Sequence, residues 1–212
     1  LLRNAGEHHQ IAASLELPDA HRSRVRAAGT LTADPATLGD WQADLYLETA
    51  GAEVAPLLSH VLPAHYRLEG VRTDLRWWSQ WKNGVPQWME GRATLSDTSI
   101  TGVASGRGLR IDRVTGAFRW DHRPEGGLLR VTGFALDRPG RPATAPAEWA
   151  LAWRRGARGT GPGFRLVGDR VAIDDLAAAL TIRPLAGKRL AEILDAPPRA
   201  TVRDFYVQAP HR

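Results

Sequence analysis

The chain has no cysteine, one methionine (Met89), two lysines (Lys82 and Lys188) and no long apolar run. Without cysteine there is no disulfide framework, no thiolate nucleophile and no cysteine-based metal site. No stretch approaches the roughly 18–20 apolar residues that a membrane-spanning helix needs. The near-absence of lysine leaves arginine to carry the positive charge, and the formal net charge is +5 over 212 residues. Those arginines alternate along extended segments and form no cluster interleaved with aromatics, so the pattern speaks against a nucleic-acid surface. The sequence starts at Leu1, not Met, and reads as a fragment of a longer chain.

Strand signals recur at short spacing, separated by Gly, Pro and Asp. Apolar residues alternate in Ile11–Leu17, Val25–Leu31, Trp41–Leu47, Leu109–Trp120, Leu128–Leu136, Trp149–Trp153, Phe164–Ile173 and Ala200–Val207. Helical spacing is confined to short pieces: 52–61, a turn capped by Asp174 with Leu176 and Leu180, and 188–194. The expected fold is therefore mainly β, a long, antiparallel, strongly curved sheet (an open groove or taco-like) with two or three short helices. A weak echo between Leu45–Leu58 and Leu166–Leu180, each a strand, a bend, an acidic residue and an apolar helix, suggests two repeat modules, about 1–105 and 106–212, within one fragment.

The most informative stretch is 71–95, a hairpin turning at Asn83-Gly84. Val71, Thr73, Leu75, Trp77, Ser79 and Trp81 alternate with Arg72, Asp74, Arg76, Trp78 and Gln80, which makes one dry face and one wet face. A three-residue loop (Lys82, Asn83, Gly84) pairs Asp74 with Arg92, Arg76 with Glu90 and Trp78 with Trp88. On the other face it pairs Trp81 with Val85 and Trp77 with Met89. A two-residue loop sets Trp77 against Glu90 and Leu75 against Arg92. Opposed charges and aromatic pairs favour the first register.

No catalytic or metal-binding pattern stands out. His8 and His9 are neighbours on a strand and point to opposite faces. His60 and His65 carry no HExxH spacing, no serine sits in a GxSxG elbow, and Asp174-Asp175 is accounted for by a helix N-terminus. The chain is read as a non-enzyme with no cofactor and no metal.

Several further segments share a recognisable pattern. They are Gly39-Asp40-Trp41-Gln42-Ala43-Asp44-Leu45-Tyr46-Leu47 with Ala55-Pro56-Leu57-Leu58, then Gly70 to Trp81, and then Gly91, Leu95 and Asp97. Ile111 to Trp120 and Ala200 to Phe205 complete the set. Together these segments resemble YhdP-type proteins of the AsmA-like superfamily, with Ala200 where that pattern has glycine. The resemblance implies a slice of a long periplasmic β-groove, in a parent anchored in the inner membrane, that conducts phospholipid between inner and outer membranes of the Gram-negative envelope. Phospholipid acyl chains would be its partners, against a dry face of Val71, Leu75, Trp77, Trp81, Val85, Met89 and Leu95. The alternatives are a carbohydrate-binding β-sandwich, with Trp78 and Trp88 as stacking platforms, and a structural repeat module of the envelope without cargo.

Overall fold

The computed structural model describes residues 2–5, 8–16, 23–33, 40–53, 55, 66–103, 106–156, 163–181 and 199–209. Among the described residues there are twelve strands and the helix Ile173–Thr181, and Ala55 is also helical. The strands are β1 (Leu2–Ala5), β2 (His8–Glu16), β3 (Arg24–Ala33), β4 (Trp41–Glu53), β5 (Tyr66–Glu69), β6 (Arg72–Lys82), β7 (Val85–Gly102), β8 (Gly108–Arg123), β9 (Gly126–Asp137), β10 (Ala147–Arg154), β11 (Gly163–Ala172) and β12 (Thr201–Ala209). The helix is α1 (Ile173–Thr181).

All the strands join one antiparallel meander. β5 pairs with β7 beyond the end of β6, so it prolongs β6 after a kink at Gly70 (φ +67°), and the sheet is eleven strands wide. The sheet is not closed: among the described residues β1 pairs only with β2, and β12 only with β11. The mainly β, antiparallel expectation holds, and the described residues of each alternating segment lie in a strand, except Ile173, which opens the helix, and Ala200, which precedes β12. The Asp174 turn is a helix as expected. Of the expected helix at 52–61, Ala52 and Glu53 belong to β4 and Ala55 is helical. The other residues of that segment lie outside the described residues, as does 188–194.

The hairpin differs from both expected registers. Asn83 (φ +49°) and Gly84 (φ +77°) form a two-residue turn of the I′ kind, closed by the pair Lys82–Val85. Trp81 then pairs with Pro86 and Gln80 with Trp88, which leaves Gln87 as an extra residue. Pro86 has no N–H for a regular ladder, and a bulge is where a strand accommodates that. Beyond the bulge, Trp78 faces Glu90, Trp77 faces Gly91, Arg76 faces Arg92 and Asp74 faces Thr94. The expected pairs Asp74–Arg92, Arg76–Glu90 and Trp78–Trp88 are thus displaced by two residues. An even displacement leaves each side chain on its expected face, except past Gln87, where the extra residue inverts the parity.

Most of the buried residues gather at the end of the sheet where α1 sits, Ala43 and Ser79 being exceptions. Val71, Ala52, Thr73, Thr98, Ile111, Leu136, Ala147 and Ala177 are all buried there, and Ser23 donates its hydroxyl to the Gly51 carbonyl at 2.7 Å. Arg138, in the loop after β9, pins the helix. Its guanidinium reaches Asp175 at 2.6 Å and Asp174 at 3.3 Å, and Arg141 adds a second contact to Asp174 at 3.3 Å.

Burial raises the Asp175 pKa above its ordinary value, against the pull of Arg138. The folded state therefore favours the protonated acid. This stabilisation is fully present below the unfolded value of 3.8 and is lost as pH rises through the higher folded value. The difference in melting temperature between Asp175→Asn and the parent should grow more positive from acid toward neutral pH. A pH series of thermal melts on both proteins measures it, and a pH-independent difference would contradict the assignment.

Three glycines carry the weight of neighbouring rings. A Cβ on Gly91 would lie 2.4 Å from the Arg76 carbonyl oxygen and 3.1 Å from the Phe118 ring. One on Gly127 would meet Trp153 at 2.3 Å, and one on Gly168 would meet Phe205 at 2.4 Å and Trp149 at 2.6 Å. Overpacking of this kind costs about 1–3 kcal/mol. Gly91→Ala should sit at the upper end, because a backbone carbonyl blocks it. Gly168→Ala should be only partly rescued by Phe205→Ala, since Trp149 still stands 2.6 Å from the new Cβ. Urea denaturation of the single and double variants reads both effects.

Candidate functional site

Directly opposed residues of an antiparallel pair share a face, so the registers can be followed across the sheet as transverse rows. One row reads Ile11, Gly29, Leu45, Ser79, Met89, Trp120, Leu129, Leu151, Leu166, Val207. The next reads Ala13, Ala27, Leu47, Trp77, Gly91, Phe118, Val131, Trp149, Gly168, Phe205. Each crosses ten strands, from β2 to β12, without a charged side chain. At about 4.8 Å per strand they form an apolar ribbon roughly 43 Å long, running perpendicular to the strands.

The reverse face carries the charge. Its rows include Ala12, Ala28, Tyr46, Trp78, Glu90, Arg119, Arg130 and Ser14, Arg26, Glu48, Arg76, Arg92, Ala117, Thr132. Cross-strand ion pairs link Arg24 to Glu16 (3.0 Å), Arg76 to Glu48 (3.2 Å) and Arg119 to Glu90 (2.7 Å). Gln80 donates to Asp44 at 3.0 Å. Three open depressions of about 690, 490 and 380 Å³ lie on this polar face.

The apolar ribbon stays partly open to solvent. Ile11 is 55% exposed, Leu45 43% and Val207 47%. The large side chains in mid-sheet, among them Trp77, Met89, Phe118, Leu129, Trp149 and Leu151, are half-buried and none is fully buried. Hydrogen bonds fix the tilt of two of the indoles. Trp81 Nε1–H donates to Ser79 Oγ at 3.0 Å, and Trp149 Nε1–H to the Arg170 carbonyl at 2.9 Å. Trp149 also meets the Phe134 ring at 4.6 Å. Trp77 Nε1 is buried without a hydrogen-bond partner.

The structure brings five of the seven residues expected on the dry face together on this ribbon and its flanking rows: Leu75, Trp77, Trp81, Met89 and Leu95. Val85 is not among them. It sits opposite Lys82 on the polar face and is 43% exposed, because Gln87 interrupts the alternation. Val71 lies in the kink before β6, 1% exposed, inside the closed end of the sheet. Trp78 and Trp88 do not pair across β6 and β7. Trp78 packs on Tyr46 with centroids 5.1 Å apart, and Trp88 lies under the Arg119 guanidinium at 5.5 Å. Most of the ribbon, from Phe118 to Val207, was missed from sequence. The same alternation marked it, but a strand's face is known only once its register is.

Among the described residues no group of three or more His, Asp or Glu side chains could hold a metal ion, and no helix is long and apolar enough to cross a membrane. His8 is engaged with the Thr32 hydroxyl at 3.1 Å. No family model, curated protein or solved structure matches the chain.

The openness of the ribbon sets a measurable expectation. Leu45→Ser should cost less than about 1 kcal/mol, since much of the side chain is already in water, whereas Val71→Ser should cost about 2–3 kcal/mol. Binding of an environment-sensitive apolar dye should fall in the first variant and hold in the second under folded conditions. Equal destabilisation of the two would mean that the ribbon is covered.

Proposed function

We propose that this chain is a segment of a β-groove that holds phospholipid by its acyl chains and lets them slide along the apolar ribbon. The observation that carries this reading is the continuity of the two uncharged rows across ten strands. An acyl chain needs no polar partner, only apolar surface, and gains about 0.8 kcal/mol for each methylene removed from water. A partly open ribbon gives reversible holding, whereas a sealed pocket would trap its cargo. The row direction also matters. A chain moving along a row meets side chain after side chain of the same kind, with no charge to cross.

The resemblance to YhdP-type AsmA-like proteins supports the same reading. It adds the periplasm as location, with an inner-membrane anchor in the parent and carriage between inner and outer membranes. A sandwich that binds carbohydrate needs a second sheet sealing the apolar face, and the half-exposed tryptophans of the ribbon weigh against that. A cargo-free structural module leaves so broad an open apolar surface without a purpose.

Photo-crosslinking tests the proposal. A photoreactive residue at position 75, 77 or 89 should capture phospholipid several-fold more than one at 78 or 90 on the polar face. Trp77→Asp should lower the amount of co-purifying lipid, by placing an unpaired charge in the path. Equal labelling from the two sets, or none from the first, would refute it.

A further inference from the structure

The polar face holds a site of its own, which does not rest on the lipid reading. One of its rows runs Arg26, Glu48, Arg76, Arg92, Ala117, Thr132. Charge alternates at first: Glu48 sits between Arg26 (3.6 Å) and Arg76 (3.2 Å). Then the alternation breaks. Arg76 and Arg92 are directly opposed on β6 and β7, a placement that like charges disfavour. Across β8 from Arg92 stands Ala117, which offers no anion.

The same sheet shows how such a pair is normally resolved. Arg119 and Arg130 are also directly opposed, on β8 and β9, and Asp121 bridges them at 3.0 and 3.3 Å. Arg170, opposite Arg203, is held by Asp169 at 3.0 Å. Among the described residues no carboxylate bridges Arg76 and Arg92. Glu48 accepts from the Nε of Arg76 at 3.2 Å. Glu90 is taken by Arg119, and Asp74 accepts the Gly51 N–H at 2.8 Å. Among the described residues Arg92 has no ion-pair partner. The space beside the pair is open: the depressions of about 690 and 490 Å³ meet at Arg76, Arg92, Ala117 and Thr132.

We propose that Arg76 and Arg92 bind a phosphate-type oxyanion over Ala117, in the place that a bridging carboxylate occupies between Arg119 and Arg130. Two guanidiniums offer paired donors to a tetrahedral oxyanion. The floor of Ala117 and Thr132 leaves room for its bulk and adds one hydroxyl. A phosphate free in solution and the phosphate of a lipid headgroup present the same chemistry.

Calorimetric titration with inorganic pyrophosphate at fixed ionic strength tests the site. Arg92→Gln should weaken binding about tenfold or more, the worth of one charge-assisted hydrogen-bonding group. Ala117→Glu should also abolish binding while raising the melting temperature, because it supplies the missing anion from within. Arg154→Gln, at the far end of β10, should bind as the parent does. Co-sedimentation with phosphatidylcholine vesicles, with and without phosphatidylglycerol, identifies the source. Recruitment that requires the anionic lipid and Arg92 assigns a headgroup, and pyrophosphate binding alone assigns a soluble anion. Failure of the parent to bind either probe, or unchanged binding in both Arg92→Gln and Ala117→Glu, would overturn the proposal.

Discussion

Antiparallel pairing puts opposed side chains on the same face, so a register error by one residue anywhere in the meander would join an apolar half-sheet to a charged one. The whole surface chemistry of this protein depends on that constraint holding across nine successive pairings from β2 to β12. Bulges are where it is most at risk, and here they preserve it. Gly51 (φ +63°) and Gly133 (φ +62°) lie at the bulges of β4 and β9, and Gln87 is the extra residue of β7. After each bulge the apolar side chains resume the face they held before: Thr49 then Ala52, Val131 then Leu136, Met89 then Pro86. Two aspartates do related work, since Asp97 (φ +55°) and Asp204 (φ +49°) each interrupt the pairing of their strand with its neighbour.

Stability and openness are divided along the strands. One end is a closed core, with α1 held down by Arg138 and with Val71, Ile111 and Ala177 out of solvent. The middle of the sheet has no such cover among the described residues. It gains rigidity from within one layer, where aromatic rings lie across the glycines of adjacent strands and cross-strand ion pairs brace the reverse face. Surface ion pairs contribute little individually. Their use here is to set register, since each is formed only when the strands are correctly aligned.

Much of this was legible in the sequence, because a period of two survives any even error in register. Leu75, Trp77, Met89 and Leu95 were assigned to the right face even though the pairing was off by two residues. Val85 was misassigned for a local reason. Alternation was carried through Gln87 as if β7 were regular, although Pro86 two residues from the turn was a signal for a bulge. The charge pairs were misjudged for another reason. They were sought within the hairpin, whereas Glu90 finds Arg119 on β8 and Glu48 finds Arg76 across β4. A strand in mid-sheet has two neighbours, and a sequence shows only the one across its own turn. The opposed arginines at 76 and 92 lie within the hairpin itself and were missed because its register was read two residues out of place.

The perpendicular relation between rows and strands separates two dimensions of the molecule. Strand length fixes how many parallel rows exist, hence the girth of the apolar track. Strand number fixes how far the track extends, by about 4.8 Å for each strand added. Because β1 and β12 each leave one edge unpaired, any strand joined there would lengthen the track without disturbing the rows already laid. Such an architecture is modular: the length of the apolar surface is set by the number of hairpins and its width by their length, each independently of the other.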